Sequence, residues 1–302
     1  MARPATPAMT AALPAPRDVL ELLKPITWFP PIWAFCCGVV SSGASLGARW
    51  GLVLAGAVLV GPLVCGTSQA INDWFDREVD AINEPDRPIP SGRIGGQWGL
   101  WIALTGSALS LAVGAAMGAI VGWATVLALA FAWAYSAPPL RLKMSGLWGP
   151  AAVAITYEGL TWFTGAALML GEWPSARNLA VLALYSLGAH GIMTLNDFKA
   201  IEGDKAMGIR SLPAVMGVRT AAAIACVTMA VPQIVVIALM AWWGHGFAAA
   251  IIVILLATQL VLMRRLLRDP RQFAPWYNAT GTSLSVLGMM VSAGALGWSG
   301  QG

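Results

Sequence analysis

The sequence predicts an all-α membrane protein, about nine transmembrane helices bundled around a central cavity, and three observations lead there. Of its 302 residues, 58% are hydrophobic and only 11% charged, with a mean hydropathy of +0.70, far too apolar for a water-soluble domain of this length. The chain also divides into about nine apolar runs, each near the roughly 20-residue length that crosses a hydrocarbon core. Finally, an acidic cluster that closes one run, Asn72 to Asp80, returns at the end of a later one, Asn196 to Asp204. The motif is therefore an internal repeat.

Residues 1–18 form an arm rich in Ala and Pro that reads as flexible. It has neither the apolar core of a signal peptide nor the length and Ser/Arg bias of an organelle transit peptide, which favours a bacterial cell membrane. The apolar runs follow near 26–46, 51–72, 98–117, 119–136, 148–170, 178–197, 219–243, 247–267 and 279–298. They compose one domain, 1–302, with repeat halves of roughly 20–145 and 146–270 and a last helix at 279–298. The division at Gly118 is the weakest, since a tight turn is all that separates those two runs. Merging them leaves eight helices.

The cations decide between these counts, because Lys and Arg concentrate in cytoplasmic loops. With nine spans, only Arg49 and Arg177 of the 18 fall in loops on the far side. An eight-span reading would invert the later loops and destroy that one-sidedness. The N-terminus and both acidic clusters are then cytoplasmic, in an inner membrane, cytoplasmic or intracytoplasmic. The net charge of +4 is a topology signal with anionic lipid as its partner; nothing points to nucleic acid or specifies an oligomer. Cys36, Cys37, Cys65 and Cys226 lie inside apolar runs without metal-ligand spacing and read as packing residues. Most of the fifteen Trp residues fall near helix ends, where an interfacial belt explains them.

On a helix, Asn72, Asp76 and Asp80 form one stripe, and Asp73, seven before Asp80, joins that side. In the second copy Asp197 and Asp204 have the same seven-residue spacing, with Asn196 beside them. Glu78 and Glu202 point elsewhere and read as solvated. Grouped carboxylates repel one another and are costly to desolvate. Oxygen-only donors of this kind suit a hard cation, Mg²⁺ with Mn²⁺ as a substitute, that takes its remaining ligands from phosphate and water; with no His or Cys present, zinc is disfavoured. The competing reading is a pair of solvated helix ends, which two matched copies on one side make hard to sustain.

Two such sites facing each other would hold a diphosphate between them and improve it as a leaving group. Arg87, Arg93, Arg141, Lys205 and Arg210 are the candidates for direct phosphate contacts, and Tyr135 and Lys143 flank a Pro138–Pro139 turn that presents them at the same face. Asp76, Asp80, Asp204, Tyr135 and Lys143 are the expected catalytic set, while Asn72, Asp73, Asp76, Asp80, Asn196, Asp197 and Asp204 are the expected metal set. Within the spans, Glu158 and His190 are rare ionisable residues expected to line a cavity, with His190 also able to ligate the metal of a planar macrocycle. Trp74, Phe75 and Phe198 are aromatic faces able to steady an allylic cation there, unless they serve as interfacial anchors.

The stretch Asn72 to Asp80 resembles the first signature, NDxxDxxxD, of the UbiA superfamily of intramembrane prenyltransferases. In the second, usually DxxxD, Ala200 stands where the first Asp belongs, and Asp197 one turn earlier offers the missing oxygen. The segments Asn83 to Arg93, Tyr135 to Lys143, Tyr157-Glu158-Gly159 and Leu195 to Asp204 resemble the branch of chlorophyll and bacteriochlorophyll synthases, the purple phototroph members above all. That resemblance implies a Mg²⁺-dependent transfer of a C20 chain from geranylgeranyl or phytyl diphosphate to the propionate of bacteriochlorophyllide or chlorophyllide at the lipid bilayer. Three alternatives remain: prenylation of a quinone precursor such as 4-hydroxybenzoate or homogentisate, a cation-coupled transporter with its sites near the midplane, and a pigment-binding protein without catalysis.

Overall fold

The computed structural model describes residues 13–299; residues 1–12 of the predicted arm lie outside the described residues. Eight helices are long and apolar enough to cross a membrane, and a bent pair brings the number to nine. That pair opens the chain. Helix α1, Pro16–Leu22, and α2, Phe29–Ser41, are joined through Lys24 and a short turn at Pro25–Trp28, and bend by 45°. The end of the predicted flexible arm is thus helical, and Asp18 within it is buried.

Eight further crossings take the chain back and forth, the first five being α3, Gly47–Asn83; α4, Trp98–Ala116; α5, Ala119–Ser136; α6, Trp148–Leu170; and α7, Ala176–Lys199 including its last turn. Two short helices follow, α8 (Ile201–Ala206) and α9 (Leu212–Met216), then α10 (Val218–Trp242), α11 (Gly246–Arg268) and α12 (Pro270–Ser299). The turn at Gly118, with φ of 121°, does separate two helices, as the charge pattern demands. Helix α12 begins nine residues earlier than the apolar run at 279–298, since its first turns are polar.

Close packing comes from small residues. A Cβ at Gly38 of α2 would strike the Trp162 carbonyl, and one at Gly165 of α6 would strike that of Phe35. Those two helices therefore touch backbone to backbone. A buried polar clamp sits near the same contact: Trp162 Nε1 donates to Asn178 Oδ1 at 2.8 Å and to Ser41 Oγ at 3.0 Å, while Asn178 Nδ2 donates to the same Ser41 Oγ at 2.8 Å. Each donor finds a partner that lipid could not supply. Around them Trp162 stacks on Tyr185 with centroids 6.1 Å apart.

Two helices carry π turns, α3 at Leu59–Cys65 and α6 at Ile155–Leu160. Pro62 lies in the first, where it lacks an N–H to donate and displaces the regular ladder. The two turns meet, with Tyr157 OH 3.2 Å from Cys65 Sγ and accepting from Gln69 Nε2 at 3.0 Å. All four cysteines are free thiols.

Candidate active site

Helix α3 is 37 residues long, about 55 Å at the usual rise, so it outruns a hydrocarbon core of about 30 Å. Its surplus turns carry the first acidic cluster. The four-residue spacing keeps Asn72 beside Asp76, with Asn72 Nδ2 donating to Asp76 Oδ2 at 3.0 Å. Each carboxylate meets a cation from another segment. Lys24 Nζ lies 2.7 Å from Asp73 Oδ1; Arg87 Nη1 lies 2.8 Å from Asp80 Oδ2 and 3.6 Å from Asp73; Lys143 Nζ binds Asp76 Oδ1 at 2.5 Å, with Arg141 at 3.9 Å. The seven-residue pairing of Asp73 with Asp80 is thus real, and Arg87 bridges it.

Burial lowers the pKa of Lys143, with Asp76 pulling the other way. Burial also opposes the charge on Arg87, but Asp73 and Asp80 more than offset it and its pKa rises. Among the described residues the two non-glycine residues with positive φ are Lys24 at 47° and Arg141 at 37°. Such backbone is costly for L-residues. Here both strained positions aim a cation at the first cluster.

The second cluster is built differently. The regular part of helix α7 ends at Asn196, its last turn at Asp197–Lys199 is tighter, and Asp204 lies on α8. The expected seven-residue helical face does not exist, because the chain turns between its two carboxylates. Ser211 Oγ donates to Asp204 Oδ2 at 2.6 Å, and Asn278 Nδ2 of α12 donates to Asn196 Oδ1 at 2.8 Å. Burial raises the pKa of Asp204 against the lowering effect of the Ser211 hydroxyl. Backbone bonds tie the two clusters' loops together, Gly146 N to Arg210 O at 2.8 Å and Arg210 N to Met144 O at 2.9 Å. The Lys143 loop is thereby anchored to the second cluster while its ammonium holds the first.

Between the clusters lies a cavity of about 720 Å³ whose lining includes both Asn72 and Asn196, together with Tyr135, Tyr157 and Glu158. Tyr135, at the last turn of α5, lines the cavity with the two Asn residues. Trp33 Nε1 of α2 donates to the Val286 carbonyl of α12 at 3.0 Å, and Phe29 and Leu287, 60% and 47% exposed, also line the cavity. Its volume is that of an ordinary small-molecule site.

Several expected residues stand elsewhere. Arg93 pairs with Asp18 at 2.6 Å and with Glu21 at 2.6 Å, latching α1 onto the loop after α3. Lys205 and Arg210 have exposed side chains outside the cavity lining. His190 lies on another side of α7, in a separate groove of about 420 Å³ between α6 and α7, where its Nε2 is 3.1 Å from the Leu147 carbonyl. Trp74 lies under Arg77 at 4.4 Å, Phe75 packs edge-on to Trp133, and Phe198 is buried among Leu195, Ala222 and Tyr277. Trp74 and Phe198, two residues past Asn72 and Asn196, point about 200° round from them, while Phe75 is held by Trp133 instead. The cavity's aromatic faces are instead Phe29, Trp33, Tyr135 and Tyr157.

Lys24, Ser211 and Asn278 were not singled out as site residues from sequence. Asn278 carried a signal, an amide beside an apolar run, but its helix starts earlier than the hydropathy suggests. Glu78 and Glu202 are solvated as expected, paired with Arg77 and Arg271.

Among the described residues no three His, Cys, Asp or Glu side chains converge closely enough to hold a metal alone. The donors nonetheless fit a hard cation. Asp73 Oδ2 is buried without a hydrogen-bond partner, all donors are oxygens, and Mg²⁺ needs only one or two carboxylates when phosphate and water complete its shell.

The UbiA prenyltransferase family model matches residues 28–292. The bacteriochlorophyll synthase 33 kDa chain of Cereibacter sphaeroides is 59% identical over 285 residues, 94% of either chain. The chloroplastic chlorophyll synthase of Oryza sativa subsp. japonica is 36% identical, covering 91% of this chain and 75% of that one. A UbiA homolog from Archaeoglobus fulgidus, solved bound to GPP and Mg²⁺, shares the fold at a TM-score of 0.70 and 20% identity, over 92% of this chain and 99% of that one. With the leading Asn of each cluster lining one cavity and these likenesses across nearly its whole length, the chain belongs to the UbiA prenyltransferase family, on its bacteriochlorophyll synthase branch.

Proposed function

We propose that the protein transfers a C20 isoprenoid, geranylgeranyl or phytyl, from its diphosphate to the propionate carboxylate of bacteriochlorophyllide and releases inorganic diphosphate. One observation carries this reading: a single cavity receives the leading Asn of both acidic clusters. The identities of 59% to the C. sphaeroides protein and 36% to the rice protein favour bacteriochlorophyllide over chlorophyllide.

Asn72, Asp76 and Asp80 would hold one Mg²⁺ and Asp197 and Asp204 a second, with Asp73 supporting the first. Bound there, the ions would neutralise the diphosphate and make it a better leaving group. Lys143 and Arg87, already desolvated and oriented beside the carboxylates, would bind outer phosphate oxygens, and Tyr135 would donate its O–H from between the clusters. The allylic C–O bond breaks toward this cationic end, and diphosphate leaves with the bonding pair. Phe29, Trp33 and Tyr157 exclude water from the allylic cation and offer it their ring faces. The acceptor carboxylate is ionised at neutral pH, so a new ester C–O bond forms without a general base. Positioning dominates.

The site faces the cytoplasm of a bacterial inner membrane, supported by the cation bias that leaves Arg49 and Arg177 alone on the far side. A Gly92→Cys variant should react with a membrane-impermeant thiol reagent in inverted vesicles and not in intact cells.

The deciding assay combines purified protein, Mg²⁺, geranylgeranyl or phytyl diphosphate and bacteriochlorophyllide, with chromatography of the esterified pigment. Esterification that stops on chelation is expected. Transfer of labelled donor to 4-hydroxybenzoate instead, or pigment binding with no diphosphate released, would overturn the reading.

A further inference from the structure

The transfer described above leaves one ionisable side chain of the cavity unused. Glu158 lies in the π turn of α6 and lines the cavity beside Tyr157. It is 9% exposed, and its Oε2 is buried without a hydrogen-bond partner. Among the described residues no Lys, Arg or His forms an ion pair with it. Nearby polar groups are engaged elsewhere: Ser186 Oγ donates to the Ala154 carbonyl at 2.9 Å, the Thr161 hydroxyl to backbone carbonyls of its own helix, and the Tyr157 hydroxyl is held by Cys65, Ser68 and Gln69.

A carboxylate with no cation beside it is costly in an apolar interior, whereas the neutral acid costs far less. The neutral group then has one O–H to donate. An isoprenoid chain has no atom that can accept it, and the donor's polar end is taken up among Arg87, Lys143 and the carboxylates. Glu158 stands ten residues into α6, about 15 Å from the end of the helix at the clusters. An acceptor polar at both ends, with its carboxylate toward the diphosphate and an oxygen of its ring at that depth, fits the remaining position.

Resting on the function proposed above, we infer that Glu158 is a recognition residue for the acceptor, donating its carboxylic O–H to a carbonyl oxygen on the macrocycle's periphery and so turning the propionate toward the diphosphate.

The test compares wild type, Glu158→Leu and Glu158→Gln. Esterification is measured at saturating geranylgeranyl diphosphate, and bacteriochlorophyllide is titrated by fluorescence in chelator without donor. Glu158→Leu should raise both the acceptor KM and the pigment Kd about tenfold while the donor KM, which reports an intact fold, stays unchanged. Glu158→Gln keeps an N–H donor and should stay within about threefold of wild type. Acceptor analogues with the ring ketone reduced to an alcohol, or the acetyl replaced by vinyl, identify the partner: the analogue that lacks the contacted carbonyl should bind wild type and Glu158→Leu equally. Unchanged pigment Kd in Glu158→Leu, with wild type still esterifying, would overturn this inference alone. A wild-type protein that esterifies no pigment would overturn it together with the proposed function.

Discussion

The two acidic clusters share a motif and differ in what surrounds them. The first rides a continuous helix and is compensated by Lys24, Arg87 and Lys143, each from a separate segment. The second lies across a helix break and has Ser211 and Asn278 for partners, neither of them charged. Repetition of sequence therefore gives two inequivalent halves: one pre-neutralised and held in place, the other dependent on what binds.

The strongest way to break this contrast is to remove one carboxylate from each side. Asp76→Ala and Asp204→Ala should each lower kcat roughly a thousandfold, about 4 kcal/mol of transition-state stabilisation, with the fold retained. Near-normal turnover by either purified variant at saturating donor would dismiss it as a metal ligand.

Next in size is stability. Arg87→Ala leaves Asp73 and Asp80 short of their shared cation, so thermal unfolding should show a loss of about 3 kcal/mol. Ser211→Ala removes one neutral donor from Asp204 and should cost about 1 kcal/mol. Equal losses would mean that the two clusters are compensated alike.

Lys143→Met, which tests the connection between clusters, should reduce kcat/KM for the diphosphate about thirtyfold, or about 2 kcal/mol. The acceptor KM should not move. A purely structural lysine would instead shift both substrates together.

The smallest effect is a pH dependence in chelator. Burial raises the folded-state pKa of Asp204, so its contribution to stability is complete below the ordinary carboxylate pKa and is lost as pH rises through the raised value. Asp204→Asn, uncharged throughout, should melt above wild type near neutral pH, and the gap should close on acidification. A gap independent of pH would mean that Asp204 ionises without a burial penalty.

Much of this site could be read in advance where the information is local. The Asn72–Asp76–Asp80 stripe follows from helical spacing alone, and a helix keeps that geometry whatever it packs against. Helical spacing does not carry over to Asp197 and Asp204, because the regular helix breaks between them, and it does not place Trp74 and Phe198, two residues round from each Asn, or Phe75, which packs on the distant Trp133. The surroundings of Arg93 and His190 were not legible for a further reason: their partners, Glu21 and the Leu147 carbonyl, are distant in sequence.

By itself the sequence determined that the chain is a nine-crossing membrane protein with two oxygen-rich clusters at one end, since hydropathy, charge bias and repeat spacing are additive properties of the residues. Only the tertiary structure decided which cations reach which carboxylates, that Asn72 and Asn196 line one cavity, and that Glu158 lines it with a carboxyl oxygen left without a hydrogen-bond partner. Those outcomes depend on segments from α1 to α12 meeting in space, and no local spacing encodes where distant segments meet.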